Sequence, residues 1–256
     1  MEISTLFETI SVHTLALATL IAFLGGFTRG FSGFGLALIT VPLLTLIVAP
    51  RLAVPVAIIL QLGGIIQLLR PAIPLADWKA IRWLVVGASI ATPVGLVILT
   101  LVPEDPMRVA IGGATLIASL VLAFAKNVTI SDARTASVGF GMLSGLCNGA
   151  AGIPGPPVIV YLLARTRDAA TGRASLIIYF SILAVFSGII AAIAGLVVQE
   201  TLILAAGMLP GMFAGTAAGA WCFKRFGTTT YRPVVISLLI FVAVAALIKG
   251  IIGIVA

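Results

Sequence analysis

The chain has 256 residues, of which 61% are hydrophobic and 9% charged, with a formal net charge of +7 and a mean hydropathy of +1.26. A soluble domain carries about a quarter charged residues, so a water-soluble fold is excluded and the chain reads as an integral membrane protein. The positive charge does not imply nucleic acid, because no basic cluster with interleaved aromatics occurs.

Apolar runs approach twenty residues without strict alternation, which predicts helices rather than a barrel. In chain order they fall at 12–28, 35–49, 52–69, 80–101 and 107–125, then at 135–147, 155–164, 174–198, 201–222 and 233–255. The start, Met1-Glu2-Ile3-Ser4, lacks the basic region of a cleaved signal peptide, so the first segment is expected to stay. Two glycine-rich breaks interrupt the series, one at Thr28–Gly35 and one at Cys147–Pro157. A broken helix frees backbone groups that hydrocarbon cannot satisfy, so such breaks persist only where protein or a polar cavity receives them. A matched pair in the two halves of a chain points to a transporter's binding site. Segment 155–164 rises only ~15 Å, about half the hydrocarbon core. The segments beside each break therefore read as re-entrant pairs whose two ends emerge on the same side.

Basic residues orient this topology. Arg70, Lys79, Arg82, Lys126, Arg134, Arg165, Arg167, Arg173, Lys224, Arg225 and Arg232, eleven of the fifteen Lys plus Arg, fall on one face. Arg51 and Arg108 fall on the other, with Lys249 near it. By the positive-inside rule the rich face is cytoplasmic and both termini are periplasmic. Five segments per half is an odd number, so the second half enters from the opposite side. The expected fold is an all-α membrane protein with two inverted-topology repeats, 1–129 and 130–256, each starting with a broken or re-entrant helix pair. Spacing agrees: Gly30 to Gly149 and Gly33 to Gly152 are 119 residues apart, and Gly95 to Gly215 is 120. Gly207, Gly211, Gly215 and Gly219 form a small-residue stripe for helix packing within or between protomers, and Gly87, Ala91 and Gly95 form its first-half equivalent. A homodimer is one outcome this allows.

Half-helices that start near Gly35 and Pro156 would direct free amides and partial positive charge into the membrane from opposite sides, an anion site. Gly30, Gly33, Gly35, Gly149, Gly152 and Gly155 would let those amides approach a ligand, or else serve only turns and packing. Arg29 sits at the first break, where its guanidinium either complements an oxyanion or snorkels to the headgroups. Thr28, Ser32 and Asn148 offer neutral donors, although Ser32 or Asn148 could equally cap a helix end. Gln61 and Gln67, with Tyr179 and Ser181 opposite, line the cavity or bond between helices. No Asp or Glu lies inside an apolar segment, which disfavours proton relays and cation conduction. Cys147 and Cys222 are isolated in apolar segments, so neither a disulfide nor a metal site is expected. No nucleotide loop or nucleophile–base set appears, so neither an enzyme nor a cofactor is expected.

Two stretches carry a family resemblance. Gly33-Phe34-Gly35-Leu36-Ala37-Leu38-Ile39-Thr40-Val41-Pro42 resembles the first signature of the sulfite exporter TauE/SafE family. Gly141-Met142-Leu143-Ser144-Gly145 through Gly152-Ile153-Pro154-Gly155-Pro156-Pro157 and Tyr161 resembles its second, and the likeness extends to Lys224-Arg225-Phe226 and Tyr231-Arg232. The resemblance implies a multi-pass permease of a bacterial-type inner membrane for sulfite, sulfonates and related anions, commonly an exporter. The family's glycine run after the first break is reduced here to Gly35-Leu36-Ala37, and Pro154 stands where glycine is usual. Together, residues and resemblance lead to the expectation of a secondary transporter of a small sulfur-containing anion held between two broken helices. The alternatives are an anion channel, a permease of another oxyanion or carboxylate, and an accessory protein that binds a partner through the Gly207–Gly219 stripe.

Overall fold

The computed structural model describes residues 11–124, 134–165, 168–226 and 231–255. They form helices α1 (Val12–Ser32), α2 (Leu36–Leu44), α3 (Pro50–Ala72), α4 (Trp78–Leu101) and α5 (Glu104–Phe124) in the first half. The second half carries α6 (Arg134–Ala151), α7 (Gly155–Arg165), α8 (Ala169–Ile193), α9 (Gln199–Phe226) and α10 (Tyr231–Val255). Among the described residues there is no strand. Helices α1, α3, α4, α8 and α9 are long and apolar enough to cross a bilayer, as a multi-pass membrane protein requires. The helix starts follow local chemistry. Ser11, Asp77 and Asp168 accept hydrogen bonds from amides of the first turns of α1, α4 and α8.

The first helix of each half ends in the same device. Gly33 (φ 83°) and Gly152 (φ 67°) are left-handed, which a side chain resists, and each donates its N–H four residues back. The acceptors are the Arg29 carbonyl at 2.7 Å and the Asn148 carbonyl at 2.8 Å. Both helices run further than the sequence suggested. Thr28, Arg29, Gly30 and Ser32 belong to the last turns of α1, and Cys147, Asn148 and Gly149 to those of α6. The interruptions themselves are short, Gly33–Gly35 and Gly152–Pro154. Pro156 and Pro157 sit in the first turn of α7, where a missing N–H costs nothing.

Helix α9 packs along α1, and α4 packs along α6. The small-residue stripes make both contacts. A Cβ at Gly211, Gly215 or Gly219 would strike the backbone oxygens of Thr19, Phe23 or Phe27, and one at Gly87 or Gly95 would strike those of Val138 or Leu146. The Gly207–Gly219 stripe is therefore covered by the chain's own α1, which removes the accessory-protein reading that needed it free. The contacts also correct the register between the halves. Gly26 and Gly30 meet Met212 and Thr216, while Gly145 and Gly149 meet Ala88 and Thr92. Phe27 and Leu146 are 119 apart, but their partners Gly219 and Gly95 are 124 apart, so under the expected repeat Gly95 would correspond to Gly219 and not to Gly215. Helices α3 and α8 pack on each other, as do α5 and α10, and α2 and α3 bury Ile39, Leu44, Ile58 and Leu60 completely.

Candidate functional site

The two interruptions meet. Gly33 to Leu38 line one side of a cavity and Ile153 to Gly155 another, with Arg29, Gln61 and Phe180 closing it. Its volume is about 30 Å³, on a scale where one water needs ~10–15 Å³, so it has room for about two or three waters. Apart from Arg29 and Gln61, every lining residue is glycine, proline, alanine, leucine, isoleucine or phenylalanine. Charge here is expensive unless it is answered.

Arg29 is 4% exposed and faces into the protein, which decides against snorkelling. One guanidinium nitrogen donates to the Gln61 carbonyl at 3.3 Å. The guanidinium lies over Gly64, one turn further along α3, where any Cβ would collide with it. Among the described residues no carboxylate stands within ion-pair distance, the ion pairs being Arg108 with Glu104 and Asp105, and Arg165 with Asp77. A buried cation with a single weak acceptor leaves most of its five donors for something else.

Helix α2 adds donors. Its first intrahelical bond runs from the Ile39 N–H to the Gly35 carbonyl at 3.2 Å, so the amides of Leu36, Ala37 and Leu38 precede the ladder and carry the positive end of the helix dipole. Gly35 is left-handed at φ 98° and brings this turn to the cavity wall without a side chain. The second interruption is less generous. Pro156 and Pro157 have no N–H, so the first turn of α7 lacks two of the donors that α2 offers. The Pro154 carbonyl, which would repel an anion, accepts from the Ser144 hydroxyl at 2.5 Å, and Tyr179 donates to Ser144 at 2.8 Å.

Of the residues singled out in the sequence, Arg29, Gly33, Gly35, Gln61 and Gly155 line this cavity; the others do different work. Gly30 and Gly149 are packing glycines against Thr216 and Thr92. Gly152 forms the turn that ends α6. The Thr28 hydroxyl donates to the Leu24 carbonyl at 3.0 Å. The Ser32 hydroxyl lies 2.7 Å from both the Thr28 and Phe34 carbonyls and accepts from the Phe34 amide, so it caps the break. Asn148 is 119 residues beyond Arg29 and donates to Ser187 at 2.5 Å, tying α6 to α8. Gln67 is exposed, and Ser181 bonds back to the Ile177 carbonyl.

Sequence reasoning missed Arg173. It donates to the Gly30 carbonyl at 3.0 Å, stacks on Phe223 at 4.8 Å, and packs against Gly33, closing the first break over the end of α1. Val54, 119 residues earlier, packs against Gly152, and that spacing was the available signal.

No curated protein and no solved structure matches the chain. The family model of the sulfite exporter TauE/SafE matches residues 18–246, from the first helix to the last and across both breaks. With the glycine breaks and apolar helices already described, this match means that the chain belongs to the TauE/SafE family of sulfite-exporter-type membrane transporters.

Proposed function

We propose that the protein exports a small sulfur oxyanion, sulfite or an organosulfonate, from a site between the two breaks. The observation that carries this reading is Arg29, a buried guanidinium without a carboxylate partner among the described residues, on the wall of a cavity that both breaks share. Arg29 neutralises the solute, the amides of Leu36 to Leu38 receive its oxygens, and Gly33, Gly35 and Gly155 keep side chains out of the way.

The architecture in this reading is two inverted repeats divided between residues 129 and 130, with α1–α2 and α6–α7 as the broken or re-entrant pairs. In its support, the most extensive helix contacts are kept when α1–α5 are exchanged with α6–α10: α9 on α1 becomes α4 on α6, and α3–α8 and α5–α10 map onto themselves. Rocking of one half against the other would expose the site to each side in turn. The basic ends of α3, α7 and α9 face the cytoplasm of an inner membrane, and both termini face the periplasm. With the interior negative, an anion leaves with ~2.3 kcal/mol per charge per 100 mV in its favour, so outward movement could run without a coupling ion.

Counterflow of labelled sulfite into proteoliposomes tests the reading. Wild type shows saturable uptake stimulated by sulfite on the far side, whereas a channel would pass current without that stimulation. Arg29→Ala loses at least about tenfold in apparent affinity, the worth of one hydrogen bond to a charged group, and Arg29→Lys recovers part of it. Full activity in Arg29→Ala rejects the site.

A further inference from the structure

We infer that Gln61 is the residue by which this pocket distinguishes oxyanions from halides. The inference rests on the anion-site reading above and goes beyond it, because Arg29 and the α2 amides attract any small anion.

Gln61 plays two parts through different atoms. Its backbone carbonyl accepts from Arg29 at 3.3 Å, and with Gly64 one turn away it forms the bed on which the guanidinium lies. The residue is 6% exposed and is one of those lining the cavity, and its Nε2 is buried without a hydrogen-bond partner. A buried N–H without an acceptor costs free energy in every state that leaves it so. The other lining side chains offer it no acceptor: the Arg29 guanidinium only donates, and the rest are apolar or glycine. Phe180, 119 residues further on, lines the same cavity and offers no polar group. Gln61 is therefore the one neutral side-chain donor among the described lining residues.

An oxyanion presents several acceptor oxygens held apart by the central atom. One can face the guanidinium while another reaches the Gln61 amide, and a planar fork beside a separate N–H fits that spread. A halide is a single acceptor centre. Bound by Arg29 and the α2 amides, it leaves the Gln61 donor as it found it. A site whose buried polar group is satisfied by one ligand and not by another discriminates between them.

The test uses the purified full-length chain in nanodiscs and isothermal titration with sodium sulfite and with sodium bromide at one pH. Wild type binds sulfite more tightly than bromide. Gln61→Met, which keeps the length and removes the donor, weakens sulfite by about tenfold to a hundredfold and leaves bromide unchanged. Gln61→Asn, whose shorter side chain withdraws the amide, lowers the sulfite-to-bromide ratio in the same direction and serves should the methionine variant not fold. An unchanged ratio in the variants, or equal loss of both anions, overturns the role of Gln61 while the anion site stands. Wild-type protein that binds neither salt overturns the site and the inference together.

Discussion

Replacing Gly215 by alanine should unseat α1 from α9. The new Cβ would point at the Phe23 carbonyl oxygen and would also crowd the Phe27 nitrogen, all backbone atoms that cannot rotate away. Ordinary carbon–oxygen contact needs ~3.3 Å or more, so the helices must part by about 1 Å at this point. A gap of that size forfeits roughly a quarter to a half of each dispersion contact worth ~0.1–0.2 kcal/mol, and over about 40 atom pairs the loss is about 2 kcal/mol. Alanine's better helix propensity returns up to about 1 kcal/mol, leaving a net destabilisation of about 1–2 kcal/mol. Gly95→Ala meets the Leu146 carbonyl in the same way and should cost as much. Gly139→Ala is the control, because that glycine is exposed with no described atom within 4 Å of the added carbon. Reversible unfolding in mixed micelles measures all three. If Gly215→Ala and Gly95→Ala unfold like Gly139→Ala, the close backbone approach is wrong. Gly219→Ala, which meets the Phe27 carbonyl, is the counterpart of Gly95→Ala; if those two differ by more than their errors, the equivalence of α9–α1 and α4–α6 is wrong.

The Asp77 carboxylate, at the loop before α4, should make stability fall in acid. Burial alone would raise its pKa, but the Ala80 amide, the Arg165 guanidinium and the Lys79 amide outweigh burial and hold it below the ordinary 3.8. A group depressed on folding stabilises fully above its unfolded value, and that contribution is lost as pH falls through the folded value. Melting temperatures from about pH 5 to about pH 2 should therefore converge for wild type and Asp77→Asn; a constant gap would show that the Arg165 pairing contributes nothing. For orientation, Lys79→Cys and Arg134→Cys should resist a membrane-impermeant maleimide in intact cells, while Arg51→Cys reacts. The opposite pattern inverts the assignment of faces.

Much of this site was legible in the sequence because glycine and proline mark places where a helix cannot continue. Gly33, Gly35 and Gly152 were found for the right physical reason, since all three have positive φ. Gly30 and Gly149 were found with them for the wrong one. They sit in intact helix, and their lack of a side chain answers a neighbouring carbonyl rather than a turn. A string of residues does not separate these two uses of glycine, because the difference lies in what stands opposite. Asn148 and Ser32 were ambiguous for a related reason: an amide or hydroxyl near a break suits a ligand or a cap equally, and only Ser187 and the Phe34 backbone decide. Arg173 escaped because it is distant in sequence and looked like one of many cytoplasmic charges.

The proline pair at the head of α7 makes the two halves unequal hosts. Donors gather on α1, α2 and α3, whereas α6 and α7 contribute a smooth, donor-poor wall with its one awkward carbonyl held by Ser144. Under the rocking proposed above, cargo gripped this way would travel with the first half as a passenger, while the second slid past it. Alternating access would then need no hand-over of the solute between the halves, only the movement of a greased door.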